Sequence, residues 1–362
     1  MNSNSKALWP VFLGISLLLT VAGKLHAAPS EQQWQSLNHN LVEEHILPRY
    51  RALQYSSAKL AASTTTLCRQ PESVQLESAK KDFQQTMDAW QEVQHIQFGP
   101  IETLMRNFSM QFWPDKKNLI GKQLNLLLQQ QNPETLSTDY LYKASIGVKG
   151  LPALERLLFS SSLAQLTNNS YRCQLSQTIA AYIAINSQAT LDEWVGGYSG
   201  SLSHAGSQNS YFDSHQEAAI EMMKSLIEPI EAIRDQKILR PLGDGRVRPK
   251  RSESWRSQRS LRNIQLNIAS IRHLYSGTTN NLDSLLRQQG RAAQADNIST
   301  LFTRLEKRLE TVPGPLITSL YQPETVGELL QISDTLQQLD RGLAAEMLAL
   351  NIQLGFNSRD GD

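Results

Sequence analysis

Residues 34–67 read WQSLNHNLVEEHILPRYRALQYSSAKLAASTTTL. Apolar side chains recur there at helical steps, with Leu37, Leu41, Ile46, Leu53 and Leu60 on one face. The spacing predicts one long amphipathic helix, with a kink at Pro48. The same periodicity returns over 74–93, 119–130, 133–159 (interrupted near Gly147 and Gly150) and 171–195. Residues 196–210, GGYSGSLSHAGSQNS, are small and polar and read as a linker. Beyond them, helical spacing resumes over 211–236, 258–275, 298–311 and 325–352. No run of alternating β-branched residues competes with this pattern. The expected fold is therefore all-α, with two helical bundles spanning 28–195 and 211–362. Halves of similar length and pattern point to a duplication, although no residue-level repeat is found.

The chain has 362 residues and a formal net charge of +1. Its first 27 residues carry Lys6, an apolar run from Ala7 to Gly23, and Leu25-His26-Ala27. A charged start, a short apolar core and a small residue at the end read as a cleavable signal peptide, with the cut after Ala27. Loss of Lys6 and Lys24 from the 35 basic residues leaves 33 against 34 acidic ones. That balance argues against bulk attraction to nucleic acid. No later segment is apolar enough to cross a membrane, and no cysteine stands at the cleavage site to carry a lipid. The expected location is the periplasm. Only Cys68 and Cys173 are present. In an exported chain, an even pair suggests one disulfide; two buried free thiols are the alternative.

The usual catalytic spacings are missing. There is no HExxH or inverted form, no GxSxG, no phosphate-binding loop and no CxxC. His45 and His273 lie inside helices without an evident ligand partner, and His95 and His215 read as ordinary histidines. One loop, residues 240–259, holds Arg240, Arg246, Arg248, Lys250, Arg251, Arg256 and Arg259 against Asp244 and Glu253. It is either a receptor for a carboxylate or phosphate, or a solvated connection between helices. Trp90, Trp113, Trp194 and Trp255 are either cleft-lining or core residues.

Residues 145–159, SIGVKGLPALERLLF, place Glu155 among Leu151, Leu154, Leu158 and Phe159 on an apolar helix face. Gly150-Leu151-Pro152-Ala153-Leu154-Glu155 resembles the GxHxxE motif of the imelysin family, with proline where the histidine belongs. FGPIETLMRNFSMQFWPDKKNLI from Phe98, the arginine- and serine-rich RPKRSESWRSQRSLRNIQLNIASIRHLYSG, and the terminal GFNSRDGD resemble further family segments in the same order.

The resemblance implies two helical bundles with a site at their junction. It implies a role in iron or haem acquisition, with iron or haem ahead of zinc as ligand and another exported iron-uptake or haem protein as partner. It carries over Glu155, Glu102, Arg106, Trp113 and Asp115 as ligand-binding residues, and Glu155 as the metal-binding one. Proline supplies no imidazole nitrogen, so a metal site or catalysis that depends on this histidine is lost. Pro152 instead fits the start of a helix, where its missing N–H costs nothing. Glu155 would then sit in the first turn, capping helix-start amides, pairing with an arginine such as Arg106, or serving as an oxygen ligand to iron. The leading reading is a non-catalytic iron-acquisition protein. A metallopeptidase, drawing a nitrogen ligand from His95, His204 or His215, is the second. A scaffold paralogue with a degenerate site is the third.

Overall fold

The structure is a computed structural model that describes residues 28–160, 163–167, 170–207 and 211–354. The segment read as a signal peptide and the terminal GFNSRDGD lie outside the described residues. Ten helices of ten or more residues form among those described: α1 Glu31–Asn40, α2 Leu47–Arg69, α3 Ser73–Val93, α4 Leu119–Gln130, α5 Gly150–Phe159, α6 Ser170–Glu193, α7 His215–Ala232, α8 Ser260–Ser276, α9 Ala292–Thr311 and α10 Pro323–Ala349. No strand occurs among the described residues, and the fold is all-α.

Helices α2, α3, α5 and α6 pack together as one group, and α7, α8, α9 and α10 as a second. The groups meet where α8 packs on α3, and α1 lies on α7 of the second group. Their apolar faces merge in one continuous core, which buries Trp34, Tyr50, Phe83, Trp90, Trp194, Tyr275 and Phe302. The disulfide joins Cys68, at the end of α2, to Cys173 of α6, with Cα atoms 5.5 Å apart and 105 residues between them in sequence. In the chain-entropy picture a loop of that size stabilises the fold by about 4–5 kcal/mol.

Pro48 does not kink a continuous α-helix. Residues Leu41–Ile46 form a wider π-helical turn joining α1 to α2, and Pro48 falls in the first turn of α2, where its missing N–H is harmless. A second π-helical segment, Ile233–Leu239, extends α7. These two turns carry His45 and Lys237 into the interior. The stretch read as a linker is substantially helical. Trp194–Tyr198 is a π-helical turn and Ser199–Ser203 is α-helical. Burial of Trp194 and Leu202 overrides the local preference of the glycines and serines. A seven-residue helix, Leu282–Gln288, appears where none was expected; the Asn281 side chain caps it by accepting from Ser284 N.

Candidate functional site

The site is built around the start of α5. Gly150 has φ of +77°, and a Cβ there would lie 2.2 Å from the Ser109 carbonyl oxygen and 2.7 Å from that of Met110. Only glycine permits this backbone approach. The motif glycine therefore fixes where α5 begins, and so where Pro152 and Glu155 sit.

Glu155 is 4% exposed and lies in the second turn of α5, one turn further on than the sequence suggested. It does not cap its own helix. Its Oε1 accepts from Ser257 N at 2.9 Å and from Ser257 Oγ at 2.6 Å. Oε2 has no further partner among the described residues. Burial pushes the carboxyl above its ordinary range; the Ser257 hydrogen bonds and Arg256 oppose that shift. Arg106 is not the partner of Glu155. It binds Glu193 at 2.6 Å and donates to the Pro100 carbonyl at 2.9 Å.

Glu155, Pro152, Trp113 and Asp115 line one cleft of about 990 Å³, together with Asp235, Gln236, Arg240 and most of the 250–256 stretch from the other half of the chain. Asp115 is committed to the backbone: its carboxylate accepts from Leu119 N (2.7 Å) and Ile120 N (3.0 Å), capping α4. Trp113 lies under the Arg240 guanidinium, 5.7 Å from ring centre to carbon. Trp255 carries Arg256 at 4.2 Å and Lys250 at 5.6 Å. The basic loop thus forms one wall of the cleft. Glu102 is separated from this group and lines a different depression with Glu193, Tyr198 and Glu221. Trp194 is a core residue, while Trp90 borders a smaller cavity of about 250 Å³ that shares Gln111, Trp113 and Gln236 with the cleft.

No histidine or cysteine among the described residues lines the cleft. Among the described residues, no three His, Cys, Asp or Glu side chains converge as a metal-holding group. His204 bonds the Gly200 carbonyl at 3.0 Å, and the buried Nδ1 of His215 has no partner. The donors present do not fit a resident divalent metal held by imidazole.

Two buried polar clusters at the seam escaped the sequence reading. In the first, Lys237 Nζ meets Glu253 Oε2 (2.8 Å), Gln91 Oε1 (2.8 Å), Gln94 Oε1 (2.7 Å) and Asn267 Oδ1 (2.6 Å). Glu253 also accepts from Gln111 and Asn263, each at 2.8 Å. Burial lowers the Lys237 pKa, and Glu253 opposes that. In the second, His45 joins two other imidazoles, with Nε2 2.8 Å from His95 Nε2 and Nδ1 3.0 Å from His273 Nδ1. One proton per contact fits three neutral rings. His95 Nδ1 is buried without a partner. His95 borders the smaller cavity, and His273 is half-buried. Burial holds His95 down to about 3, with Arg49 and His273 adding to it. The one sequence signal was His45 itself, four residues after Leu41 on an apolar face.

Comparison with known proteins agrees with this architecture. The family model described as Imelysin matches residues 46–343. An "Iron-regulated protein A" of Synechococcus elongatus is 22% identical over 343 residues, covering 90% of each chain. An imelysin-like protein of Psychrobacter arcticum shares the fold with a TM-score of 0.75 at 17% identity, over 91% of this chain and 99% of that one. A protein of Parabacteroides distasonis described as an iron-regulated protein A precursor gives 0.74 at 16% identity, over 88% and 95%. With a family match that spans most of its length and an all-α architecture shared with these structures, the chain belongs to the imelysin family.

Proposed function

We propose that this protein is an exported, non-catalytic member of its family that assists iron or haem acquisition in the periplasm. It binds its ligand, or an exported iron-uptake or haem partner, in the cleft around Glu155. One observation carries the reading: Glu155, Trp113 and Asp115 share a ligand-sized cleft whose motif histidine is replaced by Pro152. The names of the relatives from Synechococcus and Parabacteroides support the link to iron. The absence of an imidazole from the cleft lining supports a binding role over a metallopeptidase role. Glu155 Oε2, which accepts no hydrogen bond among the described residues, is the natural ligand atom for iron carried as cargo.

The test is a titration of the chain, from residue 28 onward, with iron compounds and haem, beside a proteolysis assay on unfolded substrates with zinc and with chelator. Micromolar binding of iron or haem that weakens in Glu155→Ala, without cleavage, is the expected result. Chelator-sensitive cleavage lost in Glu155→Ala would replace this reading with the peptidase. Failure to bind iron or haem, together with capture of another exported protein, would replace it with the scaffold.

A further inference from the structure

The cleft carries a charge that the iron reading alone leaves unexplained. Among the described residues, seven cationic side chains line it against three acidic ones, on a chain whose formal net charge is only +1. Each acid has at least one oxygen already engaged inside the protein. Asp115 caps α4, Asp235 contacts Arg234 at 3.2 Å, and Glu155 accepts from Ser257. None of the seven cations has a carboxylate at salt-bridge distance among the described residues. Arg240, Lys250 and Arg256 rest on indole faces instead. That arrangement positions a cation without neutralising it.

Hydrogen bonding points the same way. Arg240 Nη1 and Ser252 Oγ are both buried without a partner, and both residues line the cleft. Ser252 is 1% exposed. Two buried donors without acceptors, in a wall of unpaired guanidinium groups, form a receptor for acceptor-rich anions. Burial and like-charge neighbours also push two of these arginines below their usual range. Burial acts first on both; Arg251 adds to the effect on Arg240, and Arg156 to that on Arg256, while Asp115 opposes it at both and Glu155 opposes it at Arg256. A bare cation would add to the crowded positive charge and leave Arg240 Nη1 without an acceptor, whereas a carboxylate offsets the charge and accepts from both Arg240 and Ser252.

We propose that the cleft takes its ligand through anionic carboxylate groups held by Arg240, Arg256 and Ser252, so that iron enters as a carboxylate-bearing chelate and not as a bare ion. This deepens the function proposed above and rests on it for the presence of iron. Free polycarboxylate chelates and the carboxylates of haem share this chemistry, and the cleft volume of about 990 Å³ admits either.

Calorimetric titration of the chain from residue 28 with four ligands tests the inference: ferric citrate, haem, metal-free citrate, and ferrous ion under anoxia. Ferric citrate or haem is expected to bind, with affinity falling at least tenfold in Arg240→Gln and in Arg256→Gln. A wild-type measurement guards against misfolded variants, because binding should also weaken as salt is raised from 0.05 to 0.5 M, as a charge-driven contact must. Ferrous ion binding that ignores both arginines and vanishes in Glu155→Gln would overturn the inference and leave the iron reading standing. Metal-free citrate binding as tightly as ferric citrate, with haem silent, would uphold the anion site and overturn the iron reading. Silence from all four would overturn both.

Discussion

Ser257 gives both its amide and its hydroxyl hydrogen to one oxygen of Glu155, across 102 residues of sequence. The pair fastens α5 to the loop that precedes α8. It explains how a carboxylate is tolerated on an apolar helix face: the face is met there by two donors and not by hydrocarbon.

Glu155→Ala leaves the Ser257 donors without their acceptor and should destabilise the chain by about 1–3 kcal/mol. Glu155→Gln keeps a carbonyl oxygen in place and should cost less than about 1 kcal/mol. Urea denaturation of both variants decides this. Equal losses would mean that the charge, and not the acceptor, is what Ser257 requires.

Gly150→Ala meets two backbone carbonyls and an unfavourable φ at once. Neither obstacle is the end of a flexible side chain. A loss of more than about 2 kcal/mol is expected in thermal or chemical unfolding, from strain at a special backbone position. A variant as stable as the parent would show that α5 can shift its start.

Lys237→Met strands the Glu253 carboxylate in the interior and should cost about 3–5 kcal/mol. The double variant Lys237→Met/Glu253→Gln removes both charges and should recover a large part of that loss. Additive single and double effects in a denaturation cycle would contradict the coupling between these two groups.

His45 and His95 are held neutral by burial, with their pKa values lowered, that of His95 to about 3. Both bind protons in the unfolded chain near pH 6.5. Their contribution to stability is therefore intact above that pH and is lost progressively as the pH falls toward the folded-state values. The slope is about 1.4 kcal/mol per pH unit for each ring. Arg49, at the same cluster, reinforces the effect, and Glu44 opposes it only at His273. Denaturant midpoints between pH 7 and 5 should fall in the wild type and fall less steeply in His95→Asn. A flat wild-type profile would exclude neutral buried imidazoles.

Replacing Cys68 and Cys173 together with alanine should cost about 2–5 kcal/mol, a typical range for a native disulfide. The midpoint of the double variant, compared with that of the oxidised parent, measures it.

The sequence alone determined what is periodic or local. Apolar spacing specified the long helices, because a 3.6-residue repeat is written into each segment separately. The glycine-to-glutamate frame at 150–155 pointed to the candidate site, and two lone cysteines suggested their own pairing. Tertiary structure decided what depends on which segments meet. Ser257 as partner of Glu155, the Lys237–Glu253 pair and the His45–His95–His273 chain all join residues from separate elements, and no local pattern encodes such partners. The same holds for Arg106, whose carboxylate partner proved to be Glu193, and for residues 194–203, where burial of Trp194 and Leu202 outweighed a glycine- and serine-rich composition. The charge of the cleft is likewise a tertiary property. Lys116 and Lys117, Arg156 and the basic residues of 240–256 are unremarkable apart, and they become a cationic wall only because packing at the seam gathers them on one surface.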